Sequence, residues 1–102
     1  MPRPRICRRI SFQPDVTYFK PAGIPMRNLE ESIVSFSELE AIRLKDLKGL
    51  DETTAAKKMK ISQPTFNRLL RSARKNIANA IVKGKAIRVE GGNYKITKRY
   101  KI

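Results

Sequence analysis

Apolar residues recur at helical spacing through the second half of the chain. Steps of three and four residues are typical of one face of an amphipathic helix. Ser62 is a suitable N-cap, Pro64 is tolerated in a first turn, and Gly84 is a suitable C-terminal cap. The pattern therefore predicts a helix over residues 63–83, with an apolar stripe made of Phe66, Leu69, Leu70, Ala73, Ile77, Ala80 and Ile81.

Two shorter helices are predicted before this one. Ser37 and Glu40 match the S-x-x-E capping box, so a helix is expected from Ser37 to about Lys48, ending at Gly49. Asp51 is a strong N-cap residue whose charge suits a helix N-terminus, and it predicts a helix running to about Met59. Residues 60–62 are then left as a three-residue turn before the long helix.

The N-terminal segment has few helical signals. Prolines at positions 2 and 4 favour an extended arm, and apolar residues at mostly even steps over residues 6–12 predict a short strand. Residues 13–28 hold three prolines and a glycine and predict a loop. Tyr18, Phe19 and Ile24 are expected to anchor this loop onto the core.

The C-terminal segment alternates in polarity over residues 86–90 and 94–98, around Gly91-Gly92-Asn93, which predicts a β-hairpin. The predicted fold is mostly α: a three-helix helix-turn-helix domain with an extended N-terminal arm or strand and a C-terminal β-hairpin. It is one domain over 1–102, with a basic arm and Pro-rich loop (1–36), a helical core (37–84), and a hairpin with a basic tail (85–102).

Composition excludes several classes of protein. No apolar run approaches the length of a membrane span, and the N-terminus does not resemble a secretory signal, so we expect a cytoplasmic protein. Cys7 is the only cysteine and there is no histidine, so no metal site and no cofactor is predicted. No nucleophile has an evident base partner, so an enzyme is not expected.

Charge is the most informative part of the composition. The chain carries 23 basic and 9 acidic side chains, for a net charge of +14. The sign is unevenly distributed: residues 53–102 hold 14 basic residues and 1 acidic residue, whereas residues 28–52 hold 3 and 7. A basic half with an acidic insert predicts a face that binds a polyanion.

The second and third predicted helices supply a reading surface for DNA. Ala55 and Ala56 are small enough for two helices to cross closely, and the outer face of the third helix is polar. Arginine can bond guanine bidentately, and glutamine or asparagine can bond adenine in the same way. The apolar residues expected to hold the angle between the helices are Met59, Ile61, Phe66 and Leu69. The predicted base-reading residues are Gln63, Thr65, Asn67, Arg68 and Arg71.

Other polar residues nearby suit phosphate contacts, which position a protein without specifying sequence. In addition, Lys60 is expected to adopt a left-handed backbone at a turn position that usually holds glycine, at a cost of about 1 kcal/mol. Arg3 and Arg5 of the N-terminal arm are candidates for minor-groove contacts, and the alternative is that the arm is a disordered terminus. The predicted phosphate and arm contacts are Arg3, Arg5, Lys57, Lys58, Lys60, Ser62, Arg74 and Lys75.

A set of motifs along the chain matches a known pattern: Arg8-Arg9, the run from Phe19 to Pro25, the run from Glu38 to Leu44 with Asp46, Gly49-Leu50, Ala55-Ala56, Met59, Ser62, Pro64-Thr65-Phe66 with Arg68, Ala73-Arg74, Gly84-Lys85-Ala86 and Glu90-Gly91-Gly92. In these motifs the chain resembles a family of small, largely uncharacterised prokaryotic proteins described as predicted DNA-binding, with a helix-turn-helix similar to region four of sigma factors. The resemblance implies a transcription-related role and places Gln63, Pro64, Thr65, Asn67, Arg68 and Arg71 toward DNA. Lys60 departs from the family's usual glycine, and Asp51 stands where serine is common.

The leading hypothesis is a transcriptional regulator that binds double-stranded DNA sequence-specifically, as a homodimer on a two-fold site. The acidic segment 28–52 could coexist with this role as a contact for the transcription machinery. The alternative is an RNA-binding or ribosome-associated protein, which the charge would suit equally. RNA modules usually stack bases on aromatic side chains, and only Tyr94 and Tyr100 are candidates here.

Overall fold

A computed structural model describes residues 8–12, 14–92 and 94–96 of the chain. Within these residues it contains three α-helices and five short strands. The predicted arm residues Arg3 and Arg5 and the tail residue Tyr100 lie outside the described residues. In chain order the elements are β1 (Arg8–Ile10), β2 (Tyr18–Phe19), a 3-10 turn (Met26–Asn28), β3 (Glu31–Val34), α1 (Phe36–Ile42), a π-helical extension of α1 (Arg43–Leu47), α2 (Glu52–Met59), α3 (Gln63–Lys83), β4 (Ala86–Val89) and β5 (Tyr94–Ile96).

The strands form two small sheets. β4 lies at the centre of a three-stranded sheet, antiparallel to β2 and parallel to β3. β1 and β5 form a separate parallel pair, in which Ile10 is opposite Ile96. The predicted strand within residues 6–12 is thus confirmed at Arg8–Ile10.

The predicted C-terminal β-hairpin is wrong. β4 and β5 lie on either side of Gly91 and Gly92, but each pairs with strands from the N-terminal third of the chain instead of with the other. Parallel pairing needs a long crossover, which the intervening helices provide. The alternation of polar and apolar residues predicted where the strands lie, but it could not predict which strands pair.

Strand β3 was not predicted, because its inward-facing positions are Ser32 and Val34 while Ile33 is exposed. A buried serine breaks the apolar alternation that marks a strand. Its burial is compatible with folding because the Ser32 hydroxyl donates a 2.7 Å hydrogen bond to the backbone oxygen of Asn76 in α3.

Helix α1 starts at Phe36, and its N-cap is Ser35, two residues before the predicted N-cap Ser37. The Ser35 hydroxyl accepts from the Glu38 N–H at 3.0 Å, and the Ser35 N–H donates to the Glu38 carboxylate at 2.8 Å. Ser35 and Ser37 both match S-x-x-E, so spacing alone could not separate them. The predicted capping box at Ser37 and Glu40 is therefore wrong.

Glu40 has a different role in the structure. Its side chain is 3% exposed and forms an ion pair with Arg43 at 2.8 Å. The same carboxylate accepts from the N–H of Ser11 at 2.9 Å and from its hydroxyl at 3.1 Å. The Arg43 guanidinium also lies 5.6 Å from the ring centre of Phe12. This cluster ties the segment after β1 to α1.

The main core lies where the three helices meet. Phe66 and Met59 are fully buried there, and Ala55 and Ala56 allow α2 to approach α3 closely. Ile61 and Leu69, which were expected to hold the angle between these helices, pack at the edge of the cluster. The buried members are Ala41, Leu44, Ala55, Ala56, Met59, Phe66 and Leu70.

Phe19, Ile24 and Ile81 were predicted to pack onto the core, and this prediction is wrong. Phe19 and Ile24 are 52% and 39% exposed, and Ile81 is 72% exposed. Phe19 and Ile81 instead line an open groove of about 220 Å³ beside the C-terminal end of α3. The buried stripe of α3 therefore ends at Ala80, about one turn before the helix does.

Candidate nucleic-acid interface

Helices α2 and α3 are joined by the turn Lys60-Ile61-Ser62. Lys60 has φ 59° and ψ 43°, which confirms the predicted left-handed backbone. It is the only non-glycine residue with positive φ in the described part of the chain. The N–H of Ile61 donates to the Ala56 oxygen at 3.1 Å, so the chain reverses tightly at the end of α2.

The N-termini of both helices are capped as predicted. The Asp51 carboxylate accepts from the Thr54 N–H at 2.7 Å, and this bond is the largest cause of the lowered pKa of Asp51. The Ser62 hydroxyl accepts from the Thr65 N–H at 3.3 Å. Ser62 is exposed and was predicted to contact phosphate, but in the structure its hydroxyl is already used as a cap.

Thr65 is less available than the sequence suggested. It is half-buried, and its hydroxyl accepts hydrogen bonds from Ser62 at 2.9 Å and from Arg68 at 3.1 Å. The second contact holds the exposed Arg68 side chain against the first turn of α3. Thr65 therefore orients a predicted reading residue.

Two further residues that were predicted to read bases lie next to a carboxylate. The nitrogen of the exposed Gln63 amide donates to Glu52 at 3.2 Å. The half-buried Asn67 amide lies 3.1 Å from both carboxylate oxygens, and because a carboxylate only accepts hydrogen bonds, we assign the amide nitrogen to the side that faces Glu52. Sequence reasoning missed Glu52. No local signal indicated this contact, because it depends on the angle at which α2 crosses α3.

Arg74 has an acidic partner in the π-helical extension of α1. Its guanidinium forms a two-pronged ion pair with Asp46, at 2.6 and 3.1 Å. Hydrogen bonding between them lowers the pKa of Asp46 and raises the pKa of Arg74. Arg74 was predicted to contact phosphate, and to do so it would have to exchange this carboxylate for a phosphate.

The remaining cations predicted on α2, the turn and α3 are exposed. Within the described residues, none of them has an acidic side chain as an ion-pair partner. Arg71 lies on the face of α3 that also carries Gln63 and Asn67, because residues four apart lie on one side of a helix. These exposed cations are Lys57, Lys58, Lys60, Arg68, Arg71 and Lys75.

The structure thus places two amides and Arg71 on one face of α3, with exposed cations on α2, on the turn and on α3. In the part of the chain that the structure describes, no group of three or more potential metal ligands occurs. Among the helices described, none combines the length and the hydrophobicity of a membrane span.

Three helices with a small mixed sheet define a small α+β protein. The chain belongs to the family described as "Protein of unknown function DUF134", which it matches over residues 1–97. It is 61% identical over 94 residues to a UPF0251 protein of Moorella thermoacetica, a match that covers 92% of this chain and 63% of that protein. It is 57% identical over 96 residues to a UPF0251 protein of Thermoanaerobacter pseudethanolicus, covering 94% and 81% of the two chains.

A UPF0251 protein of Dehalococcoides mccartyi is 57% identical over 99 residues, which cover 97% of this chain and 85% of that protein. The chain therefore spans less than two thirds of the Moorella relative and most of the other two. No solved structure matches the chain.

Proposed function

We propose that this protein binds double-stranded DNA sequence-specifically and acts as a transcriptional regulator. The α2–turn–α3 unit would serve as a helix-turn-helix, with the N-terminal half of α3 in the major groove. The observation that carries this proposal is the outer face of α3, where Gln63, Asn67 and Arg71 follow one another at four-residue intervals.

The side chains on this face have the chemistry of base recognition. Arginine donates two hydrogen bonds to guanine, and an amide can both donate to and accept from adenine. The flanking lysines Lys57, Lys58 and Lys75 have no ion-pair partner in the described residues and are suited to phosphate.

We propose a second copy of the chain as a further partner. One reading helix of this size contacts few base pairs, and a two-fold dimer doubles the contacts at a palindromic site. A contact with transcription machinery through residues 28–52 has less support. Four carboxylates of that segment already form ion pairs within the chain: Glu30, Glu31, Glu40 and Asp46.

Selection of bound duplexes from a randomised DNA library, with excess structured RNA as competitor, tests the proposal. We expect enrichment of a palindromic sequence, with half-sites about one helical turn apart. Arg71→Ala should abolish preference at one or two positions of each half-site, whereas Lys83→Ala, at the far end of α3, should leave the preference unchanged. If the structured RNA displaces the DNA from the protein, the RNA-binding alternative is favoured.

A further inference from the structure

We infer that Glu52 is a specificity-determining residue of this surface, an inference that rests on the proposed function. Its carboxylate accepts a 3.2 Å hydrogen bond from the Gln63 amide and lies 3.1 Å from the Asn67 amide, and as a pure acceptor it requires both amides to present their nitrogen to it. Neither amide is on α2, so these bonds link the start of one helix to the outer face of the next.

A purely structural role explains Glu52 incompletely. An acidic residue in a first turn does favour the helix dipole. The N-terminus of α2 is, however, already capped by the Asp51 side chain. The Glu52 carboxylate has no ion-pair partner in the described residues. Arg74 interacts with its charge only through space, and the two amides that face the carboxylate are neutral.

The chemistry of the bond determines what the amides present. A carboxylate only accepts hydrogen bonds, so the nitrogen of each amide must face Glu52 and the oxygen must face away. One N–H of the Gln63 amide and its oxygen then remain available to a base edge, and the Asn67 oxygen faces away from the carboxylate. An amide without this partner can rotate by half a turn and exchange its donor and acceptor, which makes its readout ambiguous.

The negative charge has a second effect. It lies beside residues proposed to approach phosphates, and so it opposes binding that depends on charge alone. Glu52 should therefore weaken contact with arbitrary DNA while it sharpens the preference among bases.

Three variants separate these effects. Glu52→Gln removes the charge and introduces a side chain that can both donate and accept. Glu52→Asp keeps the charge but withdraws the carboxylate from the amides by one methylene. Glu30→Gln is the matched control, because it removes the same charge from an 82% exposed carboxylate next to Lys85, beyond the opposite end of α3.

The experiment is duplex selection followed by fluorescence-anisotropy titration of the selected duplex, its single-base variants and an unrelated duplex. Gln63→Ala and Asn67→Ala identify the base positions that the amides read. At those positions we expect both Glu52 variants to reduce discrimination about 5-fold or more. Glu52→Gln alone should also tighten binding to the unrelated duplex, and Glu30→Gln should keep the wild-type preference.

Each outcome has a definite meaning. Wild-type discrimination in both Glu52 variants would overturn the inference while leaving DNA recognition in place. Absence of any selected sequence with the wild-type protein would instead overturn the proposed function and the inference with it. Thermal melts establish that each variant is folded at the assay temperature. If Glu52→Gln unfolds, Glu52→Asp still tests the orientation of the amides, because it keeps a negative charge at the α2 N-terminus.

Discussion

Replacing Lys60 by glycine should stabilise the protein. Lys60 has φ 59° and ψ 43°, a left-handed conformation that costs an L-residue about 1–2 kcal/mol. Glycine removes that penalty but loses about 0.5–1 kcal/mol through the greater entropy of its unfolded state. The Lys60 side chain is exposed, so little packing is lost. The expected net gain is about 0.5–1 kcal/mol, or roughly 2–8 °C in Tm.

Urea and thermal unfolding of the wild type and Lys60→Gly measure this gain. Lys58→Gly is the matched control, because it makes the same substitution at an exposed α2 position and should destabilise by about 1 kcal/mol. A Lys60→Gly variant that melts below the wild type would refute the strain argument. If Lys60 contacts phosphate, the variant should also lose about one unit of salt dependence in DNA binding.

Other substitutions test the interface and the fold. Arg68→Ala should weaken binding to the selected duplex by about 1–3 kcal/mol if Arg68 contacts a base. Lys75→Ala should instead lower only the slope of log binding constant against log salt concentration, by about one unit. Titrations at several salt concentrations measure both effects. Glu40→Ala leaves Arg43 nearly buried without its partner and should destabilise by about 3–5 kcal/mol in urea unfolding; a loss below about 1 kcal/mol would contradict this. Because the pKa of Asp46 is lowered in the folded protein, the stability that its carboxylate contributes is present at neutral pH and is lost as the pH falls below about 4. The difference in Tm between the wild type and Asp46→Asn should therefore become smaller below that pH.

The helices were predictable because their signals are local. Caps at Asp51 and Ser62 and the apolar period of α3 all lie within a few residues of the feature that they determine, and the bounds of α3 are those predicted. Strand pairing is not local: β3 and β4 lie on opposite sides of all three helices in the sequence, yet they pair in parallel. A turn sequence such as Gly91-Gly92 indicates where the chain turns but not which strands pair.

The candidate site also has a part that local sequence signals predict and a part that they do not. Helical periodicity predicts which residues share the outer face of α3. It cannot predict their partners on other elements, such as Asp46 for Arg74 or Glu52 for Gln63 and Asn67. Those contacts depend on the angle between helices, which the packing of the core sets.

Arg68, Arg71 and Arg74 are the three arginines of α3 proposed for DNA contact. They carry the same chemical group, but their hydrogen-bond and ion-pair partners differ. Arg74 forms a two-pronged pair with Asp46. Both side chains are substantially exposed, at 53% and 38%, so the pair contributes little stability and a phosphate can compete for the guanidinium. Arg68 keeps one hydrogen bond to Thr65, which restricts its direction. Arg71 has no ion-pair partner within the described residues and lies between the other two in sequence, so it is free to meet guanine with both prongs of its guanidinium. Among these arginines, specificity should therefore depend most on Arg71, whereas a phosphate contact by Arg74 requires the release of Asp46 and should add less to the salt dependence than a contact by an unpaired lysine.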